Sequence, residues 1–253
     1  MKTYLITGGD SNLAKHFKQQ FPHSAILLSK KSCDVTSENS IEAIFKKYKF
    51  DYVLNCAAIT DIELCEKNPA LCFQVNVIGP YLLNKYCLKY HKKLLNISSD
   101  YATYPVNVYG WSKRFGEQVL DKSFLSIRTN FYSSTTYLVD YLRRGQIVNA
   151  YTNVYFNPLS IYRLVSEIDQ NSHQRGVINL LTTRKISNYD FARKICATFG
   201  IKLNQVKKNV LTNSPGKAKR PFSSYLKPDN HVNLDLDLQT FKVRAELEQP
   251  QKG

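Results

Sequence analysis

Over its first ~130 residues the chain alternates short apolar runs with stretches whose apolar positions recur every three or four residues. TYLITG (3–8), AILLS (25–29), YVLNCAA (52–58), KLLNIS (93–98) and FLSIRT (124–129) read as buried strands. Between them, SNLAKHFKQQF (11–21), SIEAIFKKY (40–48), a long segment over roughly 70–90 and VYGWSKRFGEQVLD (108–121) read as helices. Near-continuous apolar strands separated by helices predict an α/β fold whose parallel sheet is covered on both faces. After residue 132 the rhythm loosens, although GVINLL and ISNYDFARKICATFG predict one more strand and helix. From about residue 227 the chain is polar and weakly patterned, so partial disorder is expected there.

Composition narrows the picture. With 253 residues and 43% hydrophobic content, the chain can bury a sizeable core. No apolar run reaches the ~18 residues of a membrane span, and MKTYLITGG lacks the apolar stretch of a secretory signal, so a cytoplasmic protein without membrane contact is expected. The six cysteines show no CxxC pair, which favours reduced structural thiols, and neither they nor the five histidines have metal-ligand spacing. The net charge of +15 asks for an anionic partner. Because the lysines and arginines run along the whole chain with no compact basic block, a phosphate-bearing small molecule is expected rather than nucleic acid.

The first strand ends in TGGDSNLAKHF, where a dinucleotide-binding protein places its phosphate turn. Gly8 and Gly9 supply the turn, and Ser11, Asn12 and Leu13 open the helix that would face the phosphates. The TGxxGxxG pattern is incomplete: Ser11 and Ala14 replace its second and third glycines. Asp34, with Val35 beside it, sits where an acidic side chain could hold the adenine, and Cys56, Ala57, Ala58 and Thr60 end the third strand with small side chains. Lys30 and Lys31 follow the second strand where an acidic residue would select NAD, so NADPH is favoured, with NADH the second choice.

The most specific stretch is SSDYATYPVNVYGWSK, residues 98–113. Together with NCAAITDIELCEKNP, FQVNVIGPYLL, IRTNFY and a later KRP, it resembles dTDP-4-dehydrorhamnose reductases, extended short-chain dehydrogenases acting on nucleotide sugars. The likeness covers roughly residues 1–226 and implies a Rossmann-type doubly wound sheet with a small C-terminal lobe. The expected division is a dinucleotide-binding domain over 1–132, rejoined at about 153–165, and a mainly substrate-binding lobe over 133–253.

The resemblance implies Tyr109 as general acid, Lys113 as the ammonium that stabilises its phenolate and meets the nicotinamide ribose, and Ser99 as the hydroxyl polarising the carbonyl. Asp100 and Tyr101 match family residues beside the substrate, and Arg220 with Pro221 matches a pair near the substrate diphosphate. Arg128 reads as a structural anchor of the fifth strand. Two departures stand out: only ATYPVNV separates SSDY from the YxxxK helix, leaving Tyr104 and Pro105 as a shortened lid, and Asn130 stands where the family has a small residue. The implied activity is NADPH-dependent reduction of a nucleotide-linked 4-keto-6-deoxysugar. An epimerase or dehydratase and a non-catalytic nucleotide-binding subunit are the alternatives. Members often dimerise, so a homodimer is expected.

Overall fold

The computed structural model describes residues 2–247. In chain order it forms β1 (Tyr4–Thr7), α1 (Asn12–Gln20), β2 (Ala25–Leu28), α2 (Glu38–Lys47), β3 (Tyr52–Asn55), α3 (Ile62–Lys67), α4 (Pro69–Phe73), α5 (Gly79–Lys89), β4 (Lys93–Ile97), α6 (Val108–Gln118) and β5 (Leu125–Arg128). There follow β6 (Phe131–Tyr132), α7 (Tyr137–Arg143), β7 (Val148–Tyr151), β8 (Tyr155–Phe156), β9 (Leu159–Ser160), α8 (Ile161–Asn171), β10 (Gly176–Asn179), β11 (Ile186–Ser187), α9 (Asn188–Phe199), β12 (Val206–Asn209) and α10 (Leu234–Leu247). The central sheet is parallel throughout, in the order β10-β5-β4-β3-β1-β2. Chain order reverses between β1 and β3, and their carboxyl ends open the crevice in which such sheets hold ligands.

Side chains alternate across the sheet with the two-residue period of extended chain. Tyr4, Ile6, Leu54 and Leu95 enter one core with Phe17 and Ile127. Leu5, Val53 and Leu94 enter the other, against Ile41, Phe45 and Leu83. These strands therefore read as unbroken apolar runs because both faces are covered.

Three features differ from expectation. The helical segment over 70–90 is divided into α4 and α5 by a π-helical turn at Gln74–Ile78. The return of the chain to the first domain, expected at 153–165, begins there with β9 beside β6 and α8 against α1, but the central sheet is rejoined only by β10 at 176–179. The stretch after 227, expected to be partly disordered, ends in the helix α10, which buries Leu234, Leu238, Phe241 and Ala245. That spacing is a helical stripe, but exposed Leu236, Val243 and Leu247 on the other side blur the contrast that marks an amphipathic helix. The part of the predicted disorder beyond residue 247 lies outside the described residues.

Candidate active site

The YxxxK pair is set by the start of α6. Asn107 caps the helix by accepting from the Gly110 amide at 2.7 Å. Tyr109 and Lys113, one turn apart, then share a face. Ser99 follows β4 and caps a single 3₁₀ turn at Asp100–Ala102. The two segments meet in a cavity of about 460 Å³ lined by Ser99, Asp100, Tyr101, Tyr109, Lys113 and Asn130 on one side and by Ser11, Asn12, Leu13, Cys56, Ala58 and Thr60 on the other.

Electrostatics inside the cavity are dominated by burial. Desolvation holds the Tyr109 phenol well above its ordinary pKa, Asp100 and Tyr101 push the same way, and the Ser99 hydroxyl opposes them by hydrogen bonding to the phenol. The Tyr101 ring meets that of Tyr109 edge-on, with centroids 5.9 Å apart. Tyr109 is therefore a protonated donor at neutral pH. Burial also lowers the Lys113 pKa to about 8, an effect resisted by Glu117 one turn on. The Lys113 ammonium donates to the Ile97 carbonyl at 2.7 Å. Burial prevails at the phenol, and the Lys113 ammonium is engaged by the end of β4.

Asp100 is 4% exposed, and desolvation raises its pKa. Its carboxylate accepts from Ser99 Oγ at 2.9 Å, from the Tyr101 amide at 3.0 Å and from Asn130 Nδ2 at 2.7 Å. Asn130 thus fixes Asp100 while lining the cavity. Arg128 is structural as expected, forking onto Glu117 with its shortest contact at 2.6 Å; Ser98 Oγ donates to the same carboxylate.

A second cavity of about 330 Å³ adjoins the first through shared Ser11, Cys56 and Ala58, and is also lined by Gly8, Lys30, Asp34, Val35 and Ala57. Gly8 has φ +65°, and a Cβ there would lie 2.6 Å from the Ala57 amide, so the turn can press onto the end of β3 only as glycine. Ser11 Oγ caps α1 by accepting from Ala14 N at 3.3 Å. The Asn12 and Leu13 amides make no hydrogen bond within the described residues and point from the first helical turn. Orphan amides on a helix start, a glycine turn and an elongated crevice suit a dinucleotide with its pyrophosphate at α1.

Not every expected residue reaches the crevice. The Gly9 amide donates to Leu28 O at 2.8 Å, so Gly9 packs the turn against β2. Lys31 is exposed outside both linings. Asp34 lines the second cavity, but its carboxylate already accepts from Thr36 N at 2.9 Å and Thr36 Oγ1 at 2.7 Å. Tyr104 is 72% exposed and lies outside both linings, with Pro105 beside Gly110 of α6. Arg220 stands outside the lining, touching the Tyr101 phenol and pairing with Glu63 at 3.7 Å.

Two asparagines not expected from the sequence hold the site together. Asn76, in the π-helical turn, accepts from Ile59 N at 2.8 Å and donates to Ile59 O at 2.9 Å and Ser112 Oγ at 2.9 Å, clamping the loop after β3 to α6. Asn55 joins β1 to β4 through Thr7 and Asn96. Their signal was a polar residue inside an otherwise apolar buried segment.

A family described as polysaccharide biosynthesis protein matches residues 9–150. A dTDP-4-dehydrorhamnose reductase of Mycolicibacterium smegmatis is 33% identical over 134 residues, 46% of this chain and 40% of the relative. The matched stretch thus spans less than half of the curated mycobacterial relatives. A spore coat polysaccharide biosynthesis protein of Bacillus subtilis is 25% identical over 89% of each chain. In fold, the chain is similar to a dTDP-4-dehydrorhamnose reductase of Bacillus anthracis solved in complex with NADP, with TM-score 0.86, 23% identity and coverage of 98% of this chain and 100% of that one.

Proposed function

Since the chain belongs to the polysaccharide biosynthesis protein family, we propose that it reduces the keto group of a nucleotide-linked 4-keto-6-deoxysugar with NADPH, as its similarity to dTDP-4-dehydrorhamnose reductases suggests. The observation that carries this reading is the convergence of Tyr109, Ser99 and Lys113 in the cavity that begins at the first turn of α1. A reduced nicotinamide held in the crevice supplies the hydride. The chain supplies the rest: Ser99 Oγ holds and polarises the carbonyl oxygen, and Tyr109 donates its phenolic proton to that oxygen as negative charge develops. Lys113 would hold a positive charge at the reactive end of the crevice and stabilise the phenolate left on Tyr109 until a proton from solvent restores the phenol. Asp100, tied down by Asn130, accepts the Ser99 proton in the free crevice and would release it to the entering carbonyl oxygen.

For the cofactor, the Asn12 and Leu13 amides would take the pyrophosphate. Lys30, in the same lining as Asp34, would meet a 2′-phosphate. Arg220, against Tyr101 at the rim, would receive an anionic part of the substrate.

The test is stoichiometry. Purified protein offered NADPH and a dTDP-linked 4-keto-6-deoxyhexose is expected to oxidise one NADPH per sugar reduced, over many turnovers. Sugar conversion without net NADPH consumption would instead identify an epimerase or dehydratase that recycles its cofactor. Nucleotide binding with no conversion of any sugar would identify a non-catalytic subunit.

A further inference from the structure

The positive charge of the chain is not spread evenly. Between Arg184 and Arg220 there are ten lysines and arginines and one carboxylate, Asp190, so nine of the fifteen net positive charges fall in that stretch. The sequence hid this because the cations are separated by apolar and small residues rather than forming a run. Folding gathers several of them on the outer face of the C-terminal lobe, which the proposed reaction does not use.

Lys185 and Arg193 line a surface cavity of about 400 Å³ together with Arg184, Lys194 and Leu203. Arg193 and Lys208 both lie over the Tyr189 ring, 5.7 Å and 5.6 Å from its centroid, which ties β12 to the same face. Lys202 and Lys207 flank the turn between α9 and β12. Arg184 and Lys194 share Asp235, and Asp190 accepts from Ser187 Oγ. Lys185, Arg193, Lys202, Lys207 and Lys208 are exposed and have no carboxylate partner among the described residues.

Two aliphatic side chains project at this face. Leu203 is 51% exposed and Ile147, in the turn before β7, is 59% exposed. Gln205 Nε2, donating to Gln146 O at 3.2 Å, brings their two turns together.

We propose that this face is an electrostatic docking surface for an anionic lipid bilayer. Unpaired exposed cations pull toward a negative surface, and two neighbouring aliphatic tips can enter its interface. Polynucleotide is disfavoured because cations already lie over the aromatic rings of this face, Lys185 over Tyr155 and Arg193 with Lys208 over Tyr189, and stacking bases would have to compete with them. The proposal is independent of the keto-sugar reaction.

The test is sedimentation of the full chain with large vesicles of phosphatidylcholine containing about 30% phosphatidylglycerol, compared with phosphatidylcholine alone, at low and high salt. Binding to the anionic vesicles alone, lost at high salt, is expected. Combining Lys185→Glu, Arg193→Glu, Lys207→Glu and Lys208→Glu is expected to weaken binding at least about a hundredfold, since each basic side chain contributes roughly fivefold. NADPH affinity should not change. The pair Ile147→Ser and Leu203→Ser, which keeps every charge, is expected to weaken binding about tenfold and covers the case in which the fourfold variant misfolds. No sedimentation at low salt, equal binding by the variants, or binding to DNA that is tighter than to the vesicles would each overturn the proposal.

Discussion

The Lys113 side chain is 5% exposed, donates its proton to a backbone carbonyl, and is held by burial at a pKa of about 8 against an ordinary 10.5. That gap corresponds to ~3 kcal/mol spent on keeping the ammonium where the proposed chemistry needs it. Because the folded-state value is the lower one, the cost is fully present below pH 8 and fades as pH rises toward 10.5. Lys113→Met removes the cost but leaves the Ile97 carbonyl without its donor, so a gain of about 2 kcal/mol at pH 7 is expected by denaturant titration, together with loss of turnover. In the wild type, kcat/KM for NADPH is expected to fall tenfold per pH unit above about pH 8, as the free enzyme loses this proton. At the other end of the crevice, Lys30→Ala should weaken NADPH about tenfold in equilibrium titration and leave NADH unchanged. The Tyr109 and Lys113 pair proposed to act in catalysis could be picked out because its spacing and the preceding SSDY are local. The phenol's raised pKa was not, because burial is a property of the folded cavity.

Among elements, the π-helical turn at Gln74–Ile78 ties the loop after β3 to α6. It widens the helix by one residue and turns Asn76 into the interior, where it clamps Ile59 and Ser112. Apolar periodicity over 70–90 fits one uninterrupted helix equally well, so the sequence could not announce the widening. α6 approaches this turn so closely that a Cβ on Gly116 would lie 2.3 Å from Asn76 O, a backbone atom with nowhere to retreat. Gly116→Ala is therefore expected to cost about 2–3 kcal/mol in thermal unfolding, despite the usual preference of helices for alanine, and to raise KM for cofactor by shifting the loop after β3. No cost, or a gain in stability, would contradict this packing.

For the whole molecule, the strand and helix alternation was readable because the central strands are apolar on both faces; the C-terminal lobe was harder because its strands are two to four residues long and pair at a distance in sequence. The lobe's attachment depends on such a distant contact. Buried Asp237 on α10 accepts from Ser160 Oγ at 2.6 Å, Ser160 N at 2.8 Å and the Tyr132 hydroxyl at 2.9 Å, fastening the last helix to β6 and β9. Asp237→Ala strands three donors and should lower stability by roughly 2–4 kcal/mol, read by denaturant titration, with a smaller effect on NADPH affinity. The assembled crevice is proposed to serve proton donation from Tyr109 to a reduced carbonyl oxygen. The most direct test compares wild type with Tyr109→Phe, measuring NADPH oxidation by a dTDP-4-keto-6-deoxyhexose and NADPH affinity on the same samples. Turnover is expected in the wild type, about a thousandfold less in the variant, and equal affinity in both. Equal turnover in the two proteins, or none in a wild type that binds NADPH, would contradict this expectation.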